Sequence, residues 1–232
     1  SKAFGELVES QRHTPSLSAQ EVQALIDGPQ PVVVLDARRF DEYQTMSIPG
    51  SISVPGGELA LRVDGLVGSE QTPIVVNCAG RTRSIIGAQS LRNAGVRNPV
   101  YALRNGTIGW TLAGLALEHG QQRRYDPAQQ PSTARRQQVR ALAESAGVTF
   151  IDETTLQRWR RQEDRTTYLF DVRSPEEYAT GHLPGSLSAP GGQLVQETDH
   201  HASVRGARIV ALDDDGVRAA ITASWLAQMG WE

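Results

Sequence analysis

Cys78 is the only cysteine in the 232-residue chain, and it opens the hexapeptide Cys78-Ala79-Gly80-Arg81-Thr82-Arg83. The thiolate, not the thiol, is the nucleophile, and a free thiol is only a few per cent ionised at neutral pH. A tight glycine-containing loop turns successive backbone N–H groups inward and so stabilises an anion. Arg81 and Arg83 add two positive charges beside it. The pattern points to a thiolate acting on an anionic substrate. A cysteine that merely packs in a core needs no such setting. One thiol leaves no internal disulfide and no thiol set for a structural zinc, so neither metal nor cofactor is expected.

Position in the fold decides whether such a loop works. Pro73-Ile-Val-Val-Asn77 is a short apolar run that reads as a buried parallel strand. From Ser84 to Ala94, Ile85, Ala88 and Leu91 share one helical face, and Gly95 supplies the stop. Cys78 is thereby expected at the carboxyl end of a strand, where α/β sheets bind ligands. The following helix adds its unpaired N-terminal donors and the positive end of its dipole. Pro31–Leu35 and Val100–Leu103 read as further strands, and Trp110–Leu117 as another helix. Strands alternating with helices imply a parallel sheet covered on both faces.

The chain then repeats itself. Asp36, Arg38, Glu42, Tyr43, Pro49, Gly50, Pro55 and Gly57 recur as Asp171, Arg173, Glu177, Tyr178, Pro184, Gly185, Pro190 and Gly192, each pair 135 positions apart. The same spacing carries Arg83 onto Arg218 and Gly95 onto Gly230 without a gap. The expected organisation is a catalytic domain over 14–120, a linker over 121–148 and an inactive, incomplete second domain over 149–232. The linker's basic tail reads as a solvated helix face. Nothing in the second copy corresponds to Val100–Leu103 or to Gly106–Trp110, so an exposed sheet edge is expected. With the chain opening at Ser1, this predicts a piece of a longer protein that continues beyond Glu232.

At Cys78 the second copy has Asp213, and its loop reads Asp213-Asp214-Asp215-Gly216-Val217-Arg218. A carboxylate cannot do the chemistry of a thiolate, and the loop's charge is reversed, so this copy is expected to be a scaffold or docking partner. Asp36, Arg38 and Glu42 occur in both copies although only one has the nucleophile. They therefore read as an arginine–carboxylate arrangement that holds the strand and the turn after it. His200 and His201 have no helically spaced ligand partners and read as a solvated loop.

A net charge of −3 argues against nucleic-acid or membrane-surface partners. No run approaches the roughly 18 apolar residues of a membrane helix. A lone thiol suits a reducing compartment, so a cytoplasmic location is expected.

Together, the Asp36-x-Arg38…Glu42-Tyr43…Ile48-Pro49-Gly50 element, the Cys-x-x-x-x-Arg loop and Asn105-Gly-Thr-Ile-Gly-Trp110 resemble the rhodanese domain of sulfurtransferases. The resemblance covers 14–120, and 149–232 resembles a shortened second copy. It extends to bacterial proteins with rhodanese domains in tandem, where Ser1–Glu6 follows an earlier domain and further rhodanese domains flank this pair. It implies that Cys78 takes a sulfane sulfur from an anionic donor such as thiosulfate, forms a persulfide and passes it to a thiol, a protein acceptor or cyanide. The backbone from Ala79 to Ser84 and the side chains of Arg81 and Arg83 would bind the donor's anionic end. Two departures leave the donor open. Ser47 stands where many relatives have His, while the second copy keeps His182, and CAGRTR matches neither the common thiosulfate pattern nor the mercaptopyruvate one.

Two alternatives remain at this stage. One is a persulfide-carrying module that serves a protein acceptor. The other is a cysteine phosphatase of the cell-cycle type, whose loop is one residue longer. Here Arg83 follows Cys78 by five positions, a smaller ring that suits sulfur better than a phosphoryl group.

Overall fold

The structure, a computed structural model, describes residues 2–232. The chain divides between Gln130 and Pro131 into two compact units.

The first unit runs α1 (Lys2–Arg12), β1 (Ser16–Leu17), α2 (Ala19–Asp27), β2 (Val33–Asp36), α3 (Phe40–Thr45), β3 (Ile52–Ser53), α4 (Leu59–Arg62), β4 (Ile74–Asn77), α5 (Thr82–Asn93), β5 (Val100–Leu103) and α6 (Gly106–Leu112). Its five strands are all parallel, in the order β1-β5-β4-β2-β3. Val34 and Val75 pack one sheet face against Ala19 and Val22 of α2 and Trp110 of α6. α5 packs against β4 and β5, with Ile85, Ala88 and Leu91 buried. The α2 start follows from a capping box: Ser18 Oγ accepts from Glu21 N, and Glu21 accepts from Ser18 N. In register, Asp36 lies opposite Asn77, so β2 and β4 end side by side where Cys78 begins.

The second unit runs α7 (Thr133–Ser145), α8 (Glu153–Arg160), β6 (Thr167–Asp171), α9 (Pro175–Thr180), β7 (Leu187–Ser188), α10 (Gly191–Gln196), α11 (Thr198–His201), β8 (Arg208–Leu212) and α12 (Arg218–Gln228). Three parallel strands form its sheet, β7-β6-β8. No strand lies outside β8 among the described residues; only Ile209 N finds a backbone acceptor there, Glu232 O at 2.7 Å. Leu169, Leu183 and Val210 repeat Val34, Ile48 and Val75, but Leu103 and Trp110 have no counterpart. An open groove of about 1140 Å³ takes their place, lined by Leu156, Trp159, Leu183, Val210 and Trp231 among others.

Three local expectations are corrected. The helix placed at Trp110–Leu117 begins earlier, at Gly106, and ends at Leu112. Trp110 is fully buried and its Nε1 donates to Ala116 O at 2.9 Å, which pins the segment after the helix instead of extending it. The stretch 121–148 contains the 13-residue helix α7, which packs on α12 and buries Val139 and Ala143. His200 and His201 end the short helix α11 rather than sitting in a loop, and His201 packs edge-on against Phe170.

Candidate active site

Cys78 leaves β4 directly, and its side chain is buried at 2% exposure. The helix after it begins at Thr82, two residues before the expected start, so Thr82, Arg83 and Ser84 form its first turn. Their N–H groups are among those a helix leaves unpaired. Among the described residues, no backbone N–H from Ala79 to Ser84 donates a hydrogen bond within the protein. The sulfur lies beside this set, and Cys78 Sγ–H donates to Ser84 Oγ at 3.5 Å. Ser84 Oγ in turn donates to Arg81 O at 2.8 Å.

The carbonyl side of the loop is tied elsewhere. Cys78 O accepts from Thr107 N at 2.9 Å and from Thr107 Oγ1 at 3.0 Å, and Ala79 O accepts from Ile108 N at 3.0 Å. The start of α6 thus anchors the loop by its acceptors and leaves its donors available. The contact requires glycine: Gly106 has φ +52°, and a Cβ there would lie 2.2 Å from Cys78 O. Asn105, also left-handed at φ +60°, makes the turn into it.

Both loop arginines face carboxylates. Arg83 donates to Glu42 through both terminal nitrogens, at 2.7 and 2.8 Å. Burial works against the Arg83 charge, but Glu42 outweighs it and Cys78 adds to it, so the guanidinium is held above its ordinary value. Arg81 pairs with Glu9 of α1. Asp36 and Arg38 form the buried pair expected of them, at 2.9 and 2.8 Å, and Arg38 also donates to Met46 O at 2.6 Å. Glu42 departs from the expected role: it reaches the Cys78 loop instead of only holding its own turn. Ser47 is buried, with its backbone paired to Glu118.

The second unit shows what the same loop does when it holds an anion. Asp213 accepts from Gly216 N at 3.0 Å and from Ala219 N at 2.8 Å. Asp215 Oδ1 accepts from Val217 N at 2.8 Å and from Arg218 N at 2.9 Å. These four amides correspond to those of Arg81, Thr82, Arg83 and Ser84. In one copy the protein's own carboxylates accept from these amides, and in the other, among the described residues, no acceptor within the protein does.

The rhodanese-like domain family model matches residues 18–113 and 154–232. The chain belongs to the rhodanese family. The chain is similar to a crystal structure of thiosulfate sulfurtransferase from Pseudomonas aeruginosa, at a TM-score of 0.96 and 68% identity, over 99% of this chain and 44% of that one. Among curated proteins, "HTH-type transcriptional regulator Rv0324" of Mycobacterium tuberculosis is 36% identical over 91 residues, 38% of each chain. "Putative sulfur carrier protein YrkF" of Bacillus subtilis is 26% identical over 103 residues, 44% of this chain and 54% of that one. The chain thus spans about half or less of the length of each of these relatives. No helix among the described residues is long and apolar enough to cross a membrane.

Sequence reasoning brought the loop residues of the first rhodanese unit together but missed three of their supports. Glu42, Thr107 and Glu9 lie 41, 29 and 72 positions from the groups they hold. For Glu42 a signal existed: Glu177 and Arg218 repeat the same separation in the second copy.

Proposed function

We propose that the first unit is a sulfurtransferase in which Cys78 carries a sulfane sulfur from an anionic donor, thiosulfate or a close analogue, to a thiol or cyanide. The observation that carries this reading is the set of unpartnered amides from Ala79 to Ser84 beside a buried thiol, set against the same amides filled by carboxylates in the second unit. A donor's oxyanion end takes the place that the Asp213 and Asp215 carboxylates take in that copy. The thiolate attacks the donor's outer sulfur, a new S–S bond forms, and the old one breaks with sulfite leaving on the electron pair. The persulfide then sits beside the amides, and an acceptor nucleophile removes its outer sulfur and regenerates the thiolate. Arg83, steadied by Glu42, supplies charge close to the sulfur throughout.

In this reading residues 14–120 carry the catalysis, the joint between the units falls at Gln130 and Pro131, and 149–232, with α7 packed on α12, forms the copy without chemistry, in a longer protein with further rhodanese domains. The single thiol suits the reducing cytoplasm. Similarity to the Pseudomonas sulfurtransferase supports the reaction class, and the loop, one residue shorter than a phosphatase loop, favours sulfur over phosphate.

The test is intact mass. Folded protein incubated with thiosulfate should gain one sulfur, about 32 mass units, removable by reductant. Cyanide should discharge it with turnover, and Cys78→Ser should gain nothing. No mass change with thiosulfate or with other sulfane donors sinks the reading. Loading without turnover on cyanide or small thiols points instead to a persulfide carrier for a protein acceptor.

A further inference from the structure

α1 precedes the segment matched by the rhodanese family, which begins at residue 18, yet it lies against the catalytic loop. It packs on α5. Gly5 is seated so closely that a Cβ there would lie 2.9 Å from Thr82 Cγ2. One turn further along, Glu9 reaches Arg81, the loop's exposed arginine. The Glu9 side chain is 22% exposed and that of Arg81 45%, so the pair sits at the rim, where an incoming anion meets it. With Arg83 held by Glu42, both positive charges of the loop are matched before a donor arrives.

The second unit gives the mirror image. α7 packs on α12 as α1 does on α5. There the loop is acidic, and the preceding helix offers a cation: Arg136 Nε donates to Asp215 O at 2.9 Å. In each unit the preceding helix sets one charged side chain against the loop, Glu9 on the Arg81 guanidinium and Arg136 on the Asp215 carbonyl.

We propose that Glu9 is a specificity-determining residue of the Cys78 site, competing with the donor for Arg81 and so setting how strongly the loop attracts anions. This rests on the reading of that loop as an anion cradle. A dianion displaces Glu9 from the guanidinium, whereas a neutral reagent gains nothing from it. The same competition speeds departure of the anionic product, because Arg81 returns to Glu9.

The test separates anion attraction from sulfur chemistry. Cys78 in the full chain is alkylated by iodoacetate, an anion, and by iodoacetamide, its neutral counterpart, and the ratio of the two rates is read by intact mass. Glu9→Gln should raise that ratio roughly three- to tenfold at low ionic strength, the size expected of one partly screened charge near the site, and about 0.5 M salt should erase most of the gain. In an Arg81→Ala background Glu9→Gln should change nothing. An unchanged ratio in Glu9→Gln overturns the proposal. So does an equal rise in the Arg81→Ala background, because Glu9 would then act by its own charge and not through Arg81. If thiosulfate fails to load the wild type while the ratios behave as stated, the sulfur-transfer reading fails and the role of Glu9 stands.

Discussion

Glu42 and Arg83 meet through two parallel hydrogen bonds of 2.7 and 2.8 Å across 41 residues of sequence, linking α3 to the first turn of α5. Glu177 and Arg218 repeat the pair at 2.6 and 2.9 Å in the copy that has no nucleophile. A bond kept without chemistry holds the loop's shape. In the copy with Cys78, it ties α3 to the helix turn that carries Ser84, the partner of the Cys78 thiol.

Glu42→Gln should therefore affect both folding and activity. Burial alone would raise the Glu42 titration, but the hydrogen bond and charge of Arg83 override it, so the carboxyl titrates below its ordinary range. A depressed value means that the pair stabilises the fold above the ordinary carboxylate range and that this is lost as pH falls through the lowered value. Breaking one side of this partly buried pair should cost about 1–3 kcal/mol near neutral pH, measured as a lower urea midpoint. The misplaced loop should lower kcat/KM with thiosulfate about tenfold or more. An unchanged midpoint with unchanged kinetics would remove Glu42 from the site.

Restoring the nucleophile to the second unit should not restore transfer. Asp213→Cys leaves Asp215 on the amides of Val217 and Arg218, and Asp214 paired with Arg173 and Arg218. The cradle stays occupied and the loop stays acidic. In a Cys78→Ala background, replacing residues 213–218 by the whole CAGRTR sequence should load at least roughly tenfold more sulfur than Asp213→Cys alone, given about 1 kcal/mol or more for each like charge removed. Equal, substantial loading by both would show that the carboxylates do not block the loop.

The second unit should also carry a stability signature of Asp213. Burial and the neighbouring Asp215 carboxylate raise Asp213 from 3.8 to about 6, against the pull of the Ala219 and Gly216 amides. A raised value means that its protonated form is favoured by folding. That contribution is complete below the ordinary aspartate value and is lost as pH rises through about 6. Glu177, lowered to about 2 by Arg218 despite its burial, acts in the opposite sense and only under strong acid. Between pH 4 and 7.5 the wild type should lose about 1–3 kcal/mol relative to Asp213→Asn. Hydrogen exchange of 213–228 together with urea unfolding at both pH values checks this, and parallel profiles for the two proteins would contradict it.

The duplication, the strand-to-helix order and the place of Cys78 at the end of a strand were all legible in the residues alone. These are local properties: an apolar run, a glycine stop, a motif returning in register. The reversed charge of the second loop was equally plain, since Asp213 to Asp215 are consecutive. Local patterning misplaced the last helix of the first unit, because the turn at Asn105 and Gly106 answers to the carbonyl of Cys78, not to the periodicity of Trp110–Leu117. Tertiary structure alone decided the partners of the arginines. Side chains 41 and 72 positions apart meet only when the fold brings α3, α5 and α1 together; the repeat hinted at the first separation, which Glu177 and Arg218 share, but nothing in the sequence pointed to Glu9. It also decided which amides remain unpartnered. That depends on where every neighbouring acceptor finally lies: the amides of 216–219 meet the carboxylates of Asp213 and Asp215, while those of 81–84 meet no acceptor within the protein among the described residues.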